Sequence, residues 1–274
     1  MKEATAHSES YIDAALRSSK YEEVYLFMKD HYVLVNYAPG STDGKVVHGP
    51  LRICKGFPSL TNTTFGEYGI DSAFRSHHGD EGFIFSGNLC AQINYASGTT
   101  HDGIIEVPRT IIKMFPFFEG TVFERGIDAS FEATAENEAY LFQGDQYALI
   151  NYNHPSLIGS IGRIIEGFPS LQGTIFESGI EAAFASHRKD EAYLFKGNQY
   201  ALINFAPGTA GIISVPKEIL PNWPFLAGIL PFKNEGVDYW DDTDPDSNYR
   251  NQDEYFGESD DTAPPDGNPY DHDD

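Results

Sequence analysis

The sequence has little cysteine, few basic residues and no long apolar run. Its two cysteines, Cys54 and Cys90, lie outside any CxxC pair or zinc-ligand spacing. They are therefore expected to be buried free thiols, as in a reducing compartment. No stretch reaches the roughly 20 apolar residues that a membrane span needs, and the polar start of the chain lacks a secretory signal pattern. We therefore expect a cytoplasmic protein with no membrane partner.

Basic charge is scarce, with 18 lysines and arginines against 41 acidic residues and a formal net charge of −23. Such a surface repels phosphate backbones, which argues against a nucleic-acid partner, and it attracts cations. The acidic residues are densest after position 232, where 15 of the last 42 residues are Asp or Glu. Aromatic residues alternate with these acids, so this segment is expected to be a tail that cannot fold alone.

Catalytic motifs are also lacking. The chain contains no GxSxG, HExxH or Walker sequence, and its nine histidines show no spacing typical of paired haem ligands. A non-enzymatic binding protein is therefore favoured.

The chain contains one short sequence motif, called here the phrase, in four copies. Isoleucine, an acidic residue and two small residues recur about every 53 to 58 residues, followed by an aromatic triplet and later by an aromatic-proline pair. The phrase occurs at Ile12–Leu16, Ile70–Phe74, Ile127–Phe131 and Ile180–Phe184. A fixed period of this length indicates a repeat architecture, in which each unit buries its faces on its neighbours.

Each unit reads as short β-strands, because β-rich runs flank a two-residue Gly-Asn or Gly-Asp turn, as in Tyr193–Phe205. A linker segment joins successive units. The last unit ends with the first half of this linker, and the chain begins with its second half. The two ends are therefore predicted to meet and close the ring. We therefore predict an all-β, four-bladed propeller with one repeat per blade. The predicted domain is 8–232, with blades at about 8–64, 65–121, 122–175 and 176–232, followed by an acidic tail at 233–274.

These phrases resemble the hemopexin repeat family, and most closely the albumin-2 proteins of legume seeds. Tyr37–Gly40, Phe115–Glu124 and Ala182–His187 are especially similar. The resemblance covers residues 11 to 232 and excludes the tail. It implies a central tunnel in which main-chain carbonyls of the innermost strands bind a cation, typically calcium or sodium. It also implies an anion such as chloride further along the axis, polyamine (spermine) and heme as ligands, and a homodimer.

Carried over residue by residue, the resemblance implies two rings around the axis. The cation ring comprises Asp13, Asp71, Asp128 and Glu181, and the second ring, for an anion or water, comprises Ala15, Ala73, Ser130 and Ala183. Glu181 departs from the Asp of the other copies, a change without consequence where the main-chain carbonyl is the ligand. Carbonyl oxygens suit a hard cation.

The predicted function is that of a ligand-binding or storage protein of the albumin type. Polyamine binding would use the acidic residues that precede the aromatic triplets: Glu22, Glu23, Asp80, Glu81, Glu136, Glu138, Asp190 and Glu191. The alternative is a cyclase-type enzyme that orients a small hydrophobic substrate at a tunnel mouth. A structural or protein-interaction module is the third hypothesis.

Overall fold

Four antiparallel sheets of four strands each make up the part of the chain that the computed structural model describes, residues 11–208 and 211–233. The tail after Lys233 and residues 8–10 of the predicted propeller lie outside the described residues. The strands are β1 Ala14–Arg17, β2 Glu23–Met28, β3 His31–Asn36 and β4 Lys45–Arg52 in blade 1; β5 Ser72–Arg75, β6 Glu81–Ser86, β7 Leu89–Asn94 and β8 Gly103–Thr110 in blade 2; β9 Ala129–Glu132, β10 Glu138–Gln143, β11 Gln146–Asn151 and β12 Ser156–Arg163 in blade 3; β13 Ala182–Ala185, β14 Glu191–Lys196, β15 Gln199–Asn204 and β16 Gly211–Glu218 in blade 4.

The four sheets form a closed ring around one axis. The innermost strands contact one another in the order β1, β5, β9, β13 and back to β1. Between each pair of adjacent blades lies one hydrophobic core. The core between blades 4 and 1 holds Ile12 together with Leu230, so the two ends of the repeat region meet as predicted. The four-bladed propeller is confirmed.

The aromatic triplets lie on the second strand of each blade and fill these cores from both faces. In blade 1, Tyr25 and Phe27 pack toward blade 2, whereas Leu26 packs toward blade 4. Successive side chains of a strand point to opposite faces, so one triplet serves two interfaces. Burying aromatic side chains contributes roughly 1.5–3 kcal/mol each, and this packing holds the blades together.

The predicted two-residue turns join the second and third strands. Met28 pairs with His31, and Gln143 pairs with Gln146, leaving two residues in each loop. The first loop residue has a positive φ in all four blades: Lys29 at 55°, Gly87 at 52°, Gly144 at 57° and Gly197 at 54°. Only Lys29 carries a side chain in that conformation, which ordinarily favours glycine.

Each outer strand runs into a short helix that ends at the aromatic-proline pair. These helices are α1 Ile53–Gly56, α3 Ile111–Met114, α4 Ile164–Gly167 and α5 Ile219–Asn222, and a further one, α2 Thr64–Glu67, follows in the first blade. Proline disfavours helical backbone at the residue before it, and this explains why these helices end at that position. None of the helices in the described ranges is long and apolar enough to cross a membrane.

The cysteine prediction is only half right. Cys90 is fully buried, and burial raises the pKa of its thiol well above the ordinary value. Cys54 is a free thiol too, but it is only half-buried. It lies on α1 at the outer rim of blade 1, where a four-residue helix covers little surface.

Candidate functional site

The innermost strands present a free backbone edge to the axis, because each is the edge strand of its sheet. The residue that follows each of these strands donates its N–H to the carbonyl of the second strand. The bonds are Ser18 to Glu23 at 3.0 Å, Ser76 to Glu81 at 2.8 Å, Ala133 to Glu138 at 2.9 Å and Ser186 to Glu191 at 2.8 Å. This fixes which backbone groups remain for the axis.

Across a trans peptide bond, the C=O of one residue and the N–H of the next residue point in opposite directions. Since the N–H of Ser18 points into its own sheet, the carbonyl of Arg17 points toward the axis. Antiparallel pairing alternates every second residue, and β1 pairs with β2 without a bulge. The carbonyl and the N–H of Ala15 therefore share the direction of the Arg17 carbonyl. Asp13 precedes β1 and donates its N–H to the carbonyl of Phe27 at 2.9 Å, so the alternation ends before Asp13.

The same register holds in the other three blades. The backbone thus directs carbonyl oxygens away from the sheets at Ala15, Ala73, Ser130 and Ala183 and at the residues two positions further along. The second ring also directs N–H groups inward. An axis lined in this way can accept a cation at the oxygens and an anion at the N–H groups.

The acidic side chains of the first ring, called here the acid ring (Asp13, Asp71, Asp128 and Glu181), have a structural task. Each carboxylate accepts a hydrogen bond from the N–H of the first turn residue in its own blade. The donors are Lys29 at 2.5 Å, Gly87 at 2.6 Å, Gly144 at 2.7 Å and Gly197 at 2.7 Å. Glu181 makes the same bond as the three aspartates, so its extra methylene leaves the contact intact.

The acid-ring carboxylates lie close enough to influence one another. Burial raises the pKa of Asp128, the hydrogen bonds from Gly144 and Gln143 oppose the rise, and the charges of Asp71 and Glu181 add to it. Concentrated negative charge at this end of the axis favours a cation.

Two further side chains adjoin the acid ring. Lys196 donates to Ser178 Oγ at 2.8 Å. Burial lowers the pKa of Lys196, while Glu181 and Asp128 oppose the fall. Gln143 Oε1 is buried and has no hydrogen-bond partner among the described residues, so this end offers an acceptor that a bound cation or water would satisfy.

The opposite end of the axis carries a buried ion pair. Arg17 Nε of blade 1 lies 2.6 Å from Glu132 Oε1 of blade 3, and Glu132 is only 2% exposed. Blades 1 and 3 face each other in the ring, so this pair crosses the axis. Arg17 also donates to the carbonyl of Ser186 in blade 4 at 2.8 Å. We call this the ion-pair end.

Two histidines near the ion-pair end connect neighbouring blades. His187 Nε2 lies 3.2 Å from the carbonyl of Ser18, and its Nδ1 lies 2.9 Å from the hydroxyl of Tyr37. A carbonyl only accepts, so Nε2 carries the proton and Nδ1 accepts from Tyr37. Burial, together with the charge of Arg17, lowers the pKa of His187 to about 4, and the ring is neutral at pH 7.

His77 makes the equivalent contact from blade 2 to blade 3. Its Nδ1 lies 2.6 Å from the hydroxyl of Tyr152, and its Nε2 lies 3.0 Å from the carbonyl of Ala133. Each imidazole thus contributes both nitrogens to holding two blades together. Neither is arranged as a haem ligand.

Side-chain metal binding is a poor fit to this site. Across residues 11–208 and 211–233, no group of three or more His, Cys, Asp or Glu side chains is placed to hold a metal ion. In each acid-ring carboxylate, the turn N–H bonds to one of the two oxygens. Main-chain carbonyls are further oxygen donors that suit a hard cation.

Sequence reasoning missed the ion pair and the histidine contacts. The available signal was the position two residues after the second ring, where Arg17, Arg75 and Glu132 place charges in otherwise uncharged inner strands and blade 4 has Ala185. A charge in that setting is buried only with a partner. The partner itself lies 115 residues away, beyond the reach of any local pattern.

This architecture defines a class, the four-bladed propeller, and solved structures share the fold. A hemopexin fold protein CP4 from cow pea is 47% identical, with a TM-score of 0.79, and the match covers 81% of this chain and 99% of the other. A plant lectin with two metal binding sites from Cicer arietinum is 52% identical, with a TM-score of 0.79 and coverage of 81% and 100%.

Sequence comparison gives the family. Albumin-2 from Pisum sativum is 49% identical over 227 residues, which is 82% of this chain and 98% of the relative. No family model matches the chain. The chain belongs to the Albumin-2 family of hemopexin-fold seed proteins, as its repeated phrases indicated.

Proposed function

We propose that this protein is a ligand-binding seed albumin whose axis holds one hard cation, calcium or sodium, on main-chain carbonyls. The observation that carries the proposal is the free edge of the four innermost strands, at one end of which four carboxylates gather. The ligand carbonyls would be those that the resemblance implies, at Asp13, Asp71, Asp128 and Glu181. The second ring, Ala15, Ala73, Ser130 and Ala183, would meet an anion such as chloride or a water through its N–H groups.

Electrostatics supports a cation at the acid ring. Four carboxylates surround this end, and their charges reach across blades. One oxygen of each carboxylate accepts a turn N–H. We assign the carboxylates an effect on the ion by charge, and direct coordination to the carbonyls. A two-metal relative, the lectin from Cicer arietinum, is consistent with metal binding in this fold.

The proposal is tested by metal content and thermal stability of the full chain. Protein purified without chelator should contain one equivalent of calcium or sodium by elemental analysis. Adding the ion at 100 times its Kd should stabilise the fold by about 2.7 kcal/mol. The proposal would be refuted if no bound metal is found and the melting temperature does not change when calcium, sodium or EDTA is added.

One variant separates carbonyl from carboxylate ligands. Asp128→Asn keeps the backbone and an acceptor for the Gly144 N–H while removing one charge. If carbonyls bind the ion, the stoichiometry stays at one and only the affinity falls. Loss of the ion altogether would assign the ligand role to the carboxylate.

Spermine, heme and homodimer formation stay predictions of the resemblance, and a cytoplasmic location stays a prediction from the sequence pattern. For spermine, the acidic residues ahead of the triplets gather near the ion-pair end, where Glu191 Oε2 and Glu23 Oε2 are buried without hydrogen-bond partners among the described residues. Calorimetric titration at low salt tests this: no binding of spermine by the full chain would argue against it. Fractionation of the source tissue tests the location.

A further inference from the structure

The side chain of Arg17 crosses the axis at the ion-pair end. It starts on β1 of blade 1 and reaches Glu132 of the opposite blade 3 at 2.6 Å. It also donates to the carbonyl of Ser186 in blade 4 at 2.8 Å. One guanidinium is therefore bound to two other blades, and these charge-assisted contacts hold a long side chain in one position.

The other residues at this ring position leave room for the crossing. Ala185 of blade 4 ends in a methyl group, and the inner strands of blades 2 and 4 approach within 8 Å between Cα atoms. Arg75 of blade 2 turns back onto its own blade, where it donates to the hydroxyl of Tyr95 at 3.2 Å. Arg17 and Glu132 therefore meet in a narrow space that neither of these two side chains fills.

Solvent does not reach the bonded atoms. Arg17 Nε and Glu132 Oε1 each have less than 1 Å² of accessible surface, and the side chain of Glu132 is only 3% exposed. An open mouth would leave this carboxylate in water, because its strand is innermost. At the other end, the acid-ring carboxylates are partly or largely exposed. One end of the axis is closed and the other faces solvent.

A comparison of the contacts between adjacent blades, called here seams, explains why Arg17 lies across the axis. At the seams between blades 4 and 1 and between blades 2 and 3, a histidine bonds a backbone carbonyl of the next blade, as His187 does with Ser18. Between blades 3 and 4 the same position holds Thr134, which carries no imidazole. The corresponding carbonyl is that of Ser186, and Arg17 takes it from blade 1.

We propose that Arg17 is a plug, which closes the ion-pair end of the axis so that ions enter and leave only past the acid ring. The closure stands on the geometry of the ion pair, and the path of the ions rests in addition on the proposed cation. Opening this end separates two buried charges, which is unfavourable. The acid ring, in contrast, attracts cations from solvent.

Hydrogen exchange tests the plug in the full chain after treatment with EDTA. The N–H of Ala15 points toward the axis, whereas the N–H of Leu16 bonds within the sheet and reports general loosening. Arg17→Ala, Glu132→Ala gives two more blades the residue that blade 4 has at this position. In this double variant, we expect the exchange rate of the Ala15 N–H to rise at least tenfold more than that of the Leu16 N–H.

The matched control is Arg17→Met, Glu132→Met, which removes both charges but keeps bulky side chains across the axis. The ratio of the two exchange rates should stay within twofold of its value in the unmodified chain. A rise at Ala15 no larger than at Leu16 in the folded alanine variant would overturn the plug. An equal rise in the methionine variant would overturn it too.

Calcium association at low salt, where surface charges act at longest range, tests the path of the ions. Asp71→Ala weakens the attraction at the acid-ring end and should slow association at least threefold. Arg75→Met removes a positive charge at the ion-pair end and should change the rate less than twofold. The reverse pattern would overturn the path. A chain that binds no ion would refute the proposed cation and the path together, while the exchange rates at Ala15 would still decide the plug.

Discussion

The two ends of the axis differ in how closely the four blades resemble one another, although the same repeat forms both ends. At the acid ring, all four blades agree in residue type and in the bond that the carboxylate makes. At the ion-pair end, the equivalent residues are Arg17, Arg75, Glu132 and Ala185, and they make different contacts. A position that serves its own blade repeats with the blade. At the ion-pair end Glu132 is only 2% exposed, and four like charges buried there without counter-charges would repel one another more strongly than the partly exposed carboxylates of the acid ring.

Breaking the ion pair should have the largest effect. Glu132→Ala leaves the largely buried guanidinium of Arg17 without its counter-charge, and we expect a loss of about 3–5 kcal/mol in the free energy of unfolding. Urea unfolding at pH 7 measures it. Arg75→Met is the matched control at the same ring position, where the arginine bonds Tyr95 and the Gly79 carbonyl instead.

The double variant Arg17→Met, Glu132→Met sharpens this comparison. Removing both charges avoids the unpaired group, so its stability should lie near that of the unmodified chain. A Glu132→Ala protein no less stable than Arg75→Met would show that the pair across the axis contributes little.

Lowering the pH should destabilise the fold at the ion-pair end, because it protonates His187. Its pKa is about 4 in the folded chain and 6.5 ordinarily, so the unfolded chain binds more protons between these values. Stability is therefore fully present above pH 6.5 and falls as the pH drops toward 4. The ring is partly exposed, so we expect a loss of about 1–2 kcal/mol rather than the full value of the shift.

The measurement is the difference in unfolding free energy between the unmodified chain and His187→Asn from pH 7 to pH 4.5. Because carboxylates titrate equally in both proteins, the difference isolates the histidine. A constant difference across this range would contradict the assignment.

The acid ring should show the smallest effects. Asp71→Ala removes a charged hydrogen bond to Gly87 at an exposed position and should cost about 1 kcal/mol. Glu181→Asp should change stability by less than about 0.5 kcal/mol, because the other three blades make the same bond with aspartate. Thermal melting at pH 7 compares the two, and a larger loss in Glu181→Asp would show that blade 4 depends on the longer side chain.

Much of the fold was predictable because its signals are local. Turn residues such as Gly144 and Gly197, the aromatic triplets and the repeat period each specify one blade, and Ile12 with Leu230 marked the closure. The rings at Asp13 and Ala15 were named through resemblance, and the structure adds the backbone register that directs the carbonyl of Ala15 away from its sheet. The turn-binding role of the carboxylates was not foreseen, since its acceptor and donor lie sixteen residues apart.

The sequence by itself determined four copies of one β-unit, their order and their closure, because hydrophobic periodicity and turn chemistry act within a few residues. Only the tertiary structure decided which charges meet across the axis and which histidines connect blades. These features depend on side chains from different blades meeting in space. Since four similar repeats surround one axis, the effect of a small difference between two repeats depends on which blades face each other in the ring.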